Sequence, residues 1–423
     1  MASRRTDHGG RDAGGPVPPL VEHLFRRSAG RLVASLTRIF GPTHLDLAEE
    51  VVQDALLKAL QVWPFQGVPD EPEAWIYRVA RNRALDVLRR KGKVEESTDM
   101  ARLEDVVAAP SGPTDSDDEL SMIFMCCHPD LPFDTRVALT LRTVGGLSTD
   151  EIAAAFLTQR TTVQQRIVRA KRAIRECGIG LHVPIGTDRA RRIESVTAVL
   201  YLMFNEGYAA TQGEAVVRFE LCGEAIRLAQ LLARNPAAAG PDLDALLALF
   251  LLQASRLPAR TGVGGSLVLL EDQDRRLWDT ALRDQGLARL IRAMDAPRLT
   301  RYHVEAGIGA THATSPSWAD TPWDRIVDQY DLLLDLTDSP VVVVNRAVAV
   351  AMAGRLDEAL AALDGLDAGE MDAYYLLPAT RGRLLEMAGR PDAAAVAYRR
   401  ALMACRSEPV RRHFEARLRR LGR

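Results

Sequence analysis

Two stretches of this sequence place side chains at spacings suited to a polyanion. From Trp75 to Arg90 (WIYRVARNRALDVLRR), Ile76, Val79, Ala80, Leu85 and Leu88 recur at helical spacing and are read as the inward face. The other side carries Arg78, Arg81, Arg83, Arg89 and Arg90, with Lys91 and Lys93 just beyond and Asp86 as the single opposing charge. Trp75, Tyr77 and the amide of Asn82 are interleaved among them. Such a mixture suits a phosphate backbone with stacked or flipped bases. It equally describes a solvated basic face, which is what most charge runs are.

The second stretch opens with Ser148-Thr-Asp-Glu151, a capping box that starts a short helix through Ile152, Ala153 and Phe156. Thr161-Thr-Val-Gln164 reads as a second capping box, opening a helix to about Glu176. Val163, Ile167, Ala170 and Ile174 form its buried seam, so Gln165, Arg169 and Arg172 point away, flanked by Gln164, Arg166 and Arg175. Two short helices, the second basic, form either a helix-turn-helix or an ordinary helical hairpin. In the first case a Gln can pair with adenine through two hydrogen bonds, while Arg166 and Arg169 hold phosphates.

Other reactive-looking groups point to packing. Cys126, Cys127 and His128 are consecutive, whereas structural zinc sites space their cysteines and need four ligands. They read as small hydrophobes ending a helix before Pro129. Glu271, Asp272 and Asp274 are a tight acidic group followed by Arg275 and Arg276, which fits capping or interaction better than catalysis. Asn205, Glu206 and Tyr208 read as similar polar features of a groove. With no Ser-His-Asp order, phosphate loop or metal motif, the expectation is a protein without enzymatic activity, metal or cofactor.

These groups must be positioned by helices. The 423 residues allow two to four domains, and 47% hydrophobic with 26% charged residues is a globular balance. Aromatics at 5%, with Ala, Leu and Arg throughout, predict an all-α fold. A net charge of −2 confines any nucleic-acid binding to local basic patches. Five cysteines, two of them adjacent, predict a reducing, cytoplasmic compartment. The Gly-, Arg- and Pro-rich start lacks the apolar core of a signal peptide, and the longest apolar run, Ala245 to Leu252, is too short to span a bilayer, so no membrane association is expected. The predicted organisation is a disordered tail over 1–16, a helical domain over 17–93 and a flexible acidic linker over 94–118. A helix-turn-helix domain over 119–180 and a helical extension over 185–423 follow. Within the extension, Met352-Ala-Gly-Arg355 recurs 35 residues later as Met387-Ala-Gly-Arg390, and Asp357, Ala359 and Ala362 recur as Asp392, Ala394 and Ala397. That period is the spacing of tetratricopeptide-like helical pairs.

At this point a resemblance emerges, covering residues from about 20 to 178. AEEVVQDALLKAL (Ala48 to Leu60), AWIYRVARNRALDVLRR (Ala74 to Arg90) and LPFDTRVALTLRTVGGLSTDEIAAAFLTQRTTVQQRIVRAKRAIRE (Leu131 to Glu176), in that order, resemble extracytoplasmic-function sigma factors of bacterial RNA polymerase. The resemblance implies that Glu50, Gln53 and Asp54 contact core polymerase, and that Trp75, Tyr77, Arg78, Arg81, Asn82, Arg83, Arg89 and Arg90 engage the promoter's minus-ten element, with Asn82 near a flipped base. It implies that Thr162, Gln164, Gln165, Arg166, Val168, Arg169 and Arg172 engage the minus-thirty-five element. One departure is the turn, Thr158-Gln159-Arg160, which lacks the usual small residue. CCHPDLP (Cys126 to Pro132), LYLMFNEGY (Leu200 to Tyr208) and LLEDQDRRLWD (Leu269 to Asp279) resemble a subgroup with a tetratricopeptide-like extension. This implies that the extension controls sigma activity in place of a separate anti-sigma protein; the expected route is contact with the sigma domains, with Asn205, Glu206, Tyr208, Glu271, Asp272 and Asp274 as candidate regulatory residues. The alternative is a sensor or scaffold whose sigma-like head no longer opens DNA.

Overall fold

The computed structural model describes residues 17–90, 116–156, 158–186, 188–209, 212–213, 216–366, 371 and 374–422. The expected tail (1–16) and most of the acidic linker (94–115) lie outside these. The described residues are predominantly helical; the only strands among them are Gln212–Gly213 and Arg406–Ser407, which pair in parallel. The chain divides into two compact units, 1–152 with 161–186 and 187–423 with 153–160.

The first unit contains α1 (Val17–Phe40), α2 (Leu45–Gln66), α3 (Pro72–Arg90), α4 (Ser116–Cys126) and α5 (Phe133–Thr143). Helix α6 (Thr149–Ala155) leads by a short turn into α7 (Arg160–Glu176). Helix α2 buries Leu47, Val51, Ala55, Leu56 and Ala59 at helical spacing; Leu60 is 39% exposed, and Trp63, one turn past Ala59, closes the stripe. In α3 the buried residues are Ile76, Tyr77, Ala80, Ala84 and Leu88, while Val79 and Leu85 are half-buried. The seam follows helical phase along 77, 80, 84 and 88, and the bulkier Val79 and Leu85 sit at its margins. The acidic linker also ends earlier than expected. Ser116 to Asp118 open α4, and Asp118 is buried against Arg38 (2.9 Å) and Ser35 (3.1 Å).

Cys126 and Cys127 are fully buried, with the Cys127 thiol 3.2 Å from Thr140 Oγ1, and burial pushes the Cys126 thiol well up. Among the described residues, no His, Cys, Asp and Glu group has the arrangement of a metal site.

The second unit begins with α8 (Asp188–Tyr208), α9 (Phe219–Arg234), α10 (Pro241–Ala254) and the single turn α11 (Leu257–Arg260). The long apolar run is α10, whose residues from Ala245 to Leu252 are all buried, the pattern of a central core helix. No described helix is long and apolar enough to cross a membrane. Helices α12 (Thr280–Ala293), α13 (Arg301–Thr314) and α14 (Trp323–Thr337) follow.

The sequence repeat appears as two helical hairpins, α15 (Pro340–Met352) with α16 (Leu356–Asp364) and α17 (Leu376–Met387) with α18 (Pro391–Ala404), before α19 (Glu408–Arg420). Both turns are built alike. Gly354 (φ 85°) donates to Ala351 O and Arg355 to Val350 O; Gly389 (φ 70°) donates to Glu386 O and Arg390 to Leu385 O. These are paired Schellman closures, in which glycine supplies the left-handed residue. The repeated Ala359 and Ala394 are both fully buried.

Candidate nucleic-acid and polymerase interface

Helix α3 presents Arg78, Asn82, Arg83, Arg89 and Arg90 outward, and Arg81 is half-buried. Trp75 is also half-buried, packed edge-on against Trp63 with ring centroids 5.5 Å apart. Tyr77 corrects the expectation of an aromatic available for stacking. It is 5% exposed, its phenol pushed up by burial, and it belongs to the core. Arg83 lies 3.4 Å from Asp54 of α2, which joins the basic stripe to the acidic surface holding Glu50, Gln53 and Asp54.

The helix-turn-helix begins with the predicted reciprocal cap. Glu151 N–H donates to Ser148 Oγ (3.1 Å), and Ser148 N–H donates to Glu151 Oε2 (2.7 Å). The second predicted cap is displaced, because α7 already starts at Arg160 and Thr161 lies inside its first turn. Val163, Ile167, Ala170 and Ile174 are buried as expected. Gln164, Gln165, Val168, Arg169 and Arg172 are exposed, Thr162 and Arg166 half-buried, and Val168 is an apolar side chain left 62% in solvent. Two arginines of α7 expected at DNA have carboxylate partners here: Arg166 with Asp134 (2.7 Å) and Arg172 with Glu176 (2.6 Å).

Sequence reasoning missed Lys171. It is buried within the α7 seam, and its ammonium lies 2.7 Å from Asp46 and 2.8 Å from Glu49, both on α2. Arg175 adds a 2.9 Å contact to Asp46, and Thr143 donates to Glu49 (2.7 Å). Burial alone would lower the Lys171 ammonium, but Glu49 and Asp46 reverse this and its pKa is raised. Burial would likewise raise Asp46, yet Lys171 and Arg175 hold it below its ordinary value. A small recess between Glu49, Val52, Gln53 and Leu56 of α2 and Arg142, Thr143 and Gly146 marks the same junction. At the other end Gly30 lets α1 approach so closely that an added Cβ would lie 2.6 Å from Val144 O. Helix α7 and the end of α5 are therefore closed onto α2 and α1. The signal was present: position 171 continues the spacing of 163, 167 and 170, but its charge concealed it.

In the extension, Asn205 is exposed and Glu206 buried. Tyr208 lies beneath Arg260, its ring centroid 4.0 Å from the guanidinium carbon. Glu271 pairs with Arg383 (2.9 Å) and Arg417 (3.7 Å), and Asp272 is exposed. Asp274 caps the turn Arg275–Leu277 and chelates Arg276, whose bonds hold its carboxyl down at about 2. Tyr208, Glu271 and Asp274 thus each engage their own arginine partners.

An acidic helix, a basic helix and a capped helix-turn-helix define a DNA-binding transcription protein. The family models for Sigma-70 region 2 and Sigma-70 region 4 match residues 24–94 and 121–174, and a family of unknown function (DUF6596) matches 192–294. The chain is 34% identical over 151 residues to the ECF RNA polymerase sigma-E factor of Escherichia coli K12, covering 34% of this chain and 78% of that protein. It is 28% identical over 161 residues to the ECF RNA polymerase sigma factor SigE of Mycolicibacterium smegmatis, covering 37% and 61% respectively. An uncharacterized protein of Rhizobium meliloti is 40% identical over 378 residues, 88% of each chain. The chain belongs to the extracytoplasmic-function RNA polymerase sigma factors.

Proposed function

We propose that this sigma factor reads the minus-ten element with α3, through Arg78, Asn82, Arg89 and Arg90, and the minus-thirty-five element with Gln164, Gln165, Val168 and Arg169 of α7. Glu50, Gln53 and Asp54 supply the polymerase contact. The extension controls when this happens, by setting whether the two DNA-binding domains stay closed. The observation carrying this reading is the Lys171 network, because it ties the promoter-reading helix to α2, the helix assigned to polymerase. In this arrangement Glu49 and Gln53 face Arg142 and Thr143. Loading onto core polymerase then requires opening, and a folded extension of more than 200 residues has the surface to bias it.

The test is run-off transcription by the full chain and by residues 1–186 at equal concentration, with circular dichroism confirming the fold. A strong change in either direction is expected. Equal activity would leave the extension without control, and no transcript from either would favour the sensor reading.

A further inference from the structure

Inside the extension three arginines share two aromatic rings. Arg256 lies just beyond α10, Arg260 ends α11, and Arg275 opens the turn Arg275–Leu277. Arg256 is 6% exposed, and its polar partner is the side-chain amide of Gln253. Its guanidinium carbon lies 5.8 Å from the Tyr208 ring centroid and 6.0 Å from that of Trp278. Arg260 covers the same Tyr208 ring at 4.0 Å, and Arg275 the same Trp278 ring at 4.7 Å. Tyr208 is thus shared by Arg260 and Arg256, and Trp278 by Arg256 and Arg275.

Arg275 donates to the carbonyls of His312 (2.7 Å) and Ser315. Among the described residues no carboxylate lies within ion-pair distance of any of the three arginines; Asp320, whose charge reaches Arg275, is exposed and already accepts from Ser317 (2.6 Å). Five buried nitrogens in this cluster have no hydrogen-bond partner among the described residues: Arg256 Nε, Arg260 Nε, Arg275 Nη2, Trp278 Nε1 and His312 Nδ1. Aromatic faces offset part of a buried charge but cannot accept these in-plane donors. An unmade buried hydrogen bond is costly, and more so on a charged group.

We propose that Arg256, Arg260 and Arg275 bind a phosphate group, free or as a monoester, within the extension. Three guanidiniums bring three positive charges, because His312 is neutral: burial, then Arg256 and Arg275, push it down to about 3. A monocarboxylate answers one of these charges, whereas a phosphate carries nearly two and offers three acceptor oxygens. Guanidinium forks match that geometry in pairs. Trp318 stacks on His312 (6.2 Å, 7°) and also borders a cavity of about 280 Å³ walled by Leu269, Leu270, Met352, Tyr375 and Phe414. This inference does not depend on how the sigma domains act.

The experiment is thermal unfolding of the full chain in chloride, inorganic phosphate, glycerol phosphate or acetate at one ionic strength. At a hundredfold excess over Kd the extension's transition should rise by about 5–10 °C. The rise should vanish in Arg256→Met and in Arg275→Met; should Arg256→Met not fold, Arg260→Met takes its place. A rise with both phosphates supports recognition of the group itself, and a rise with glycerol phosphate alone supports a monoester as the source. No rise with either, an equal rise with acetate, or a rise that survives in both variants would overturn the site.

Discussion

Replacing Lys171 with Met removes the ammonium that joins α7 to α2 while keeping most of the buried stem. The Lys171 side chain is 10% exposed, Glu49 14% and Asp46 59%. Deleting one partner of a fully buried pair costs about 3–5 kcal/mol. The Asp46 contact is largely in water and belongs to the surface range of about 0–1 kcal/mol, while Glu49 keeps its bond from Thr143. The net loss of closure is therefore about 2 kcal/mol, a shift of roughly thirtyfold towards the open form. Binding to core polymerase without DNA is the direct assay, since it separates opening from promoter contact. Lys171→Met should bind more tightly, by up to that factor. Affinity within twofold of the parent, with unchanged helicity, would refute the latch. The sign of its pH dependence follows from its partners. The raised pKa of Lys171 makes its contribution complete below its ordinary value of 10.5 and lost as pH rises through the raised one. The lowered pKa of Asp46 makes its share complete above 3.8 and lost as pH falls through the depressed one. The tighter binding of Lys171→Met should accordingly be constant from about pH 5 to 9.

Other outcomes test the remaining assignments. Gly30→Leu puts side-chain atoms where a Cβ alone would be 2.6 Å from Val144 O, and should raise core binding in the same direction as Lys171→Met. Asn82→Ala should change preference at one minus-ten base, whereas Arg78→Ala should weaken all promoters alike and lower the salt slope by about one unit; footprint competition at several salt concentrations distinguishes them. Tyr77→Ala should destabilise the first unit by about 3–5 kcal/mol in denaturant unfolding. A selective change in base preference from Tyr77→Phe at full stability would instead return Tyr77 to the reading surface.

The helical class, the seam of α7, the Ser148 cap and the 35-residue repeat could all be read from the sequence, because each is a local periodicity or a local hydrogen-bond pattern. The seam of α3 departs from the expected one because helical phase prevails over size: Ala84 is buried, while the bulkier Val79 and Leu85 stand at the margin. What sequence could not supply were the long-range partners. Lys171 meets residues more than 120 positions earlier, and a lysine in an apolar stripe gives no sign of the carboxylates that admit it. Asp118 looked like linker charge until Arg38 and Ser35 came into contact with it. The three arginines of the extension belong to separate segments whose meeting no spacing rule announces.

The two identical helix closures at Gly354 and Gly389 have a consequence for how the extension can change length. Each ends one helix, reverses the chain through a left-handed glycine and starts the next helix after an arginine, 35 residues apart. Excising one full period between them joins Gly354 directly to Arg390 and recreates the same junction, with the following helix entering in the same phase. Duplicating a period does likewise. The extension can therefore be shortened or lengthened in whole units at this place without redesigning a single turn, so its reach is adjustable independently of the domains that precede it.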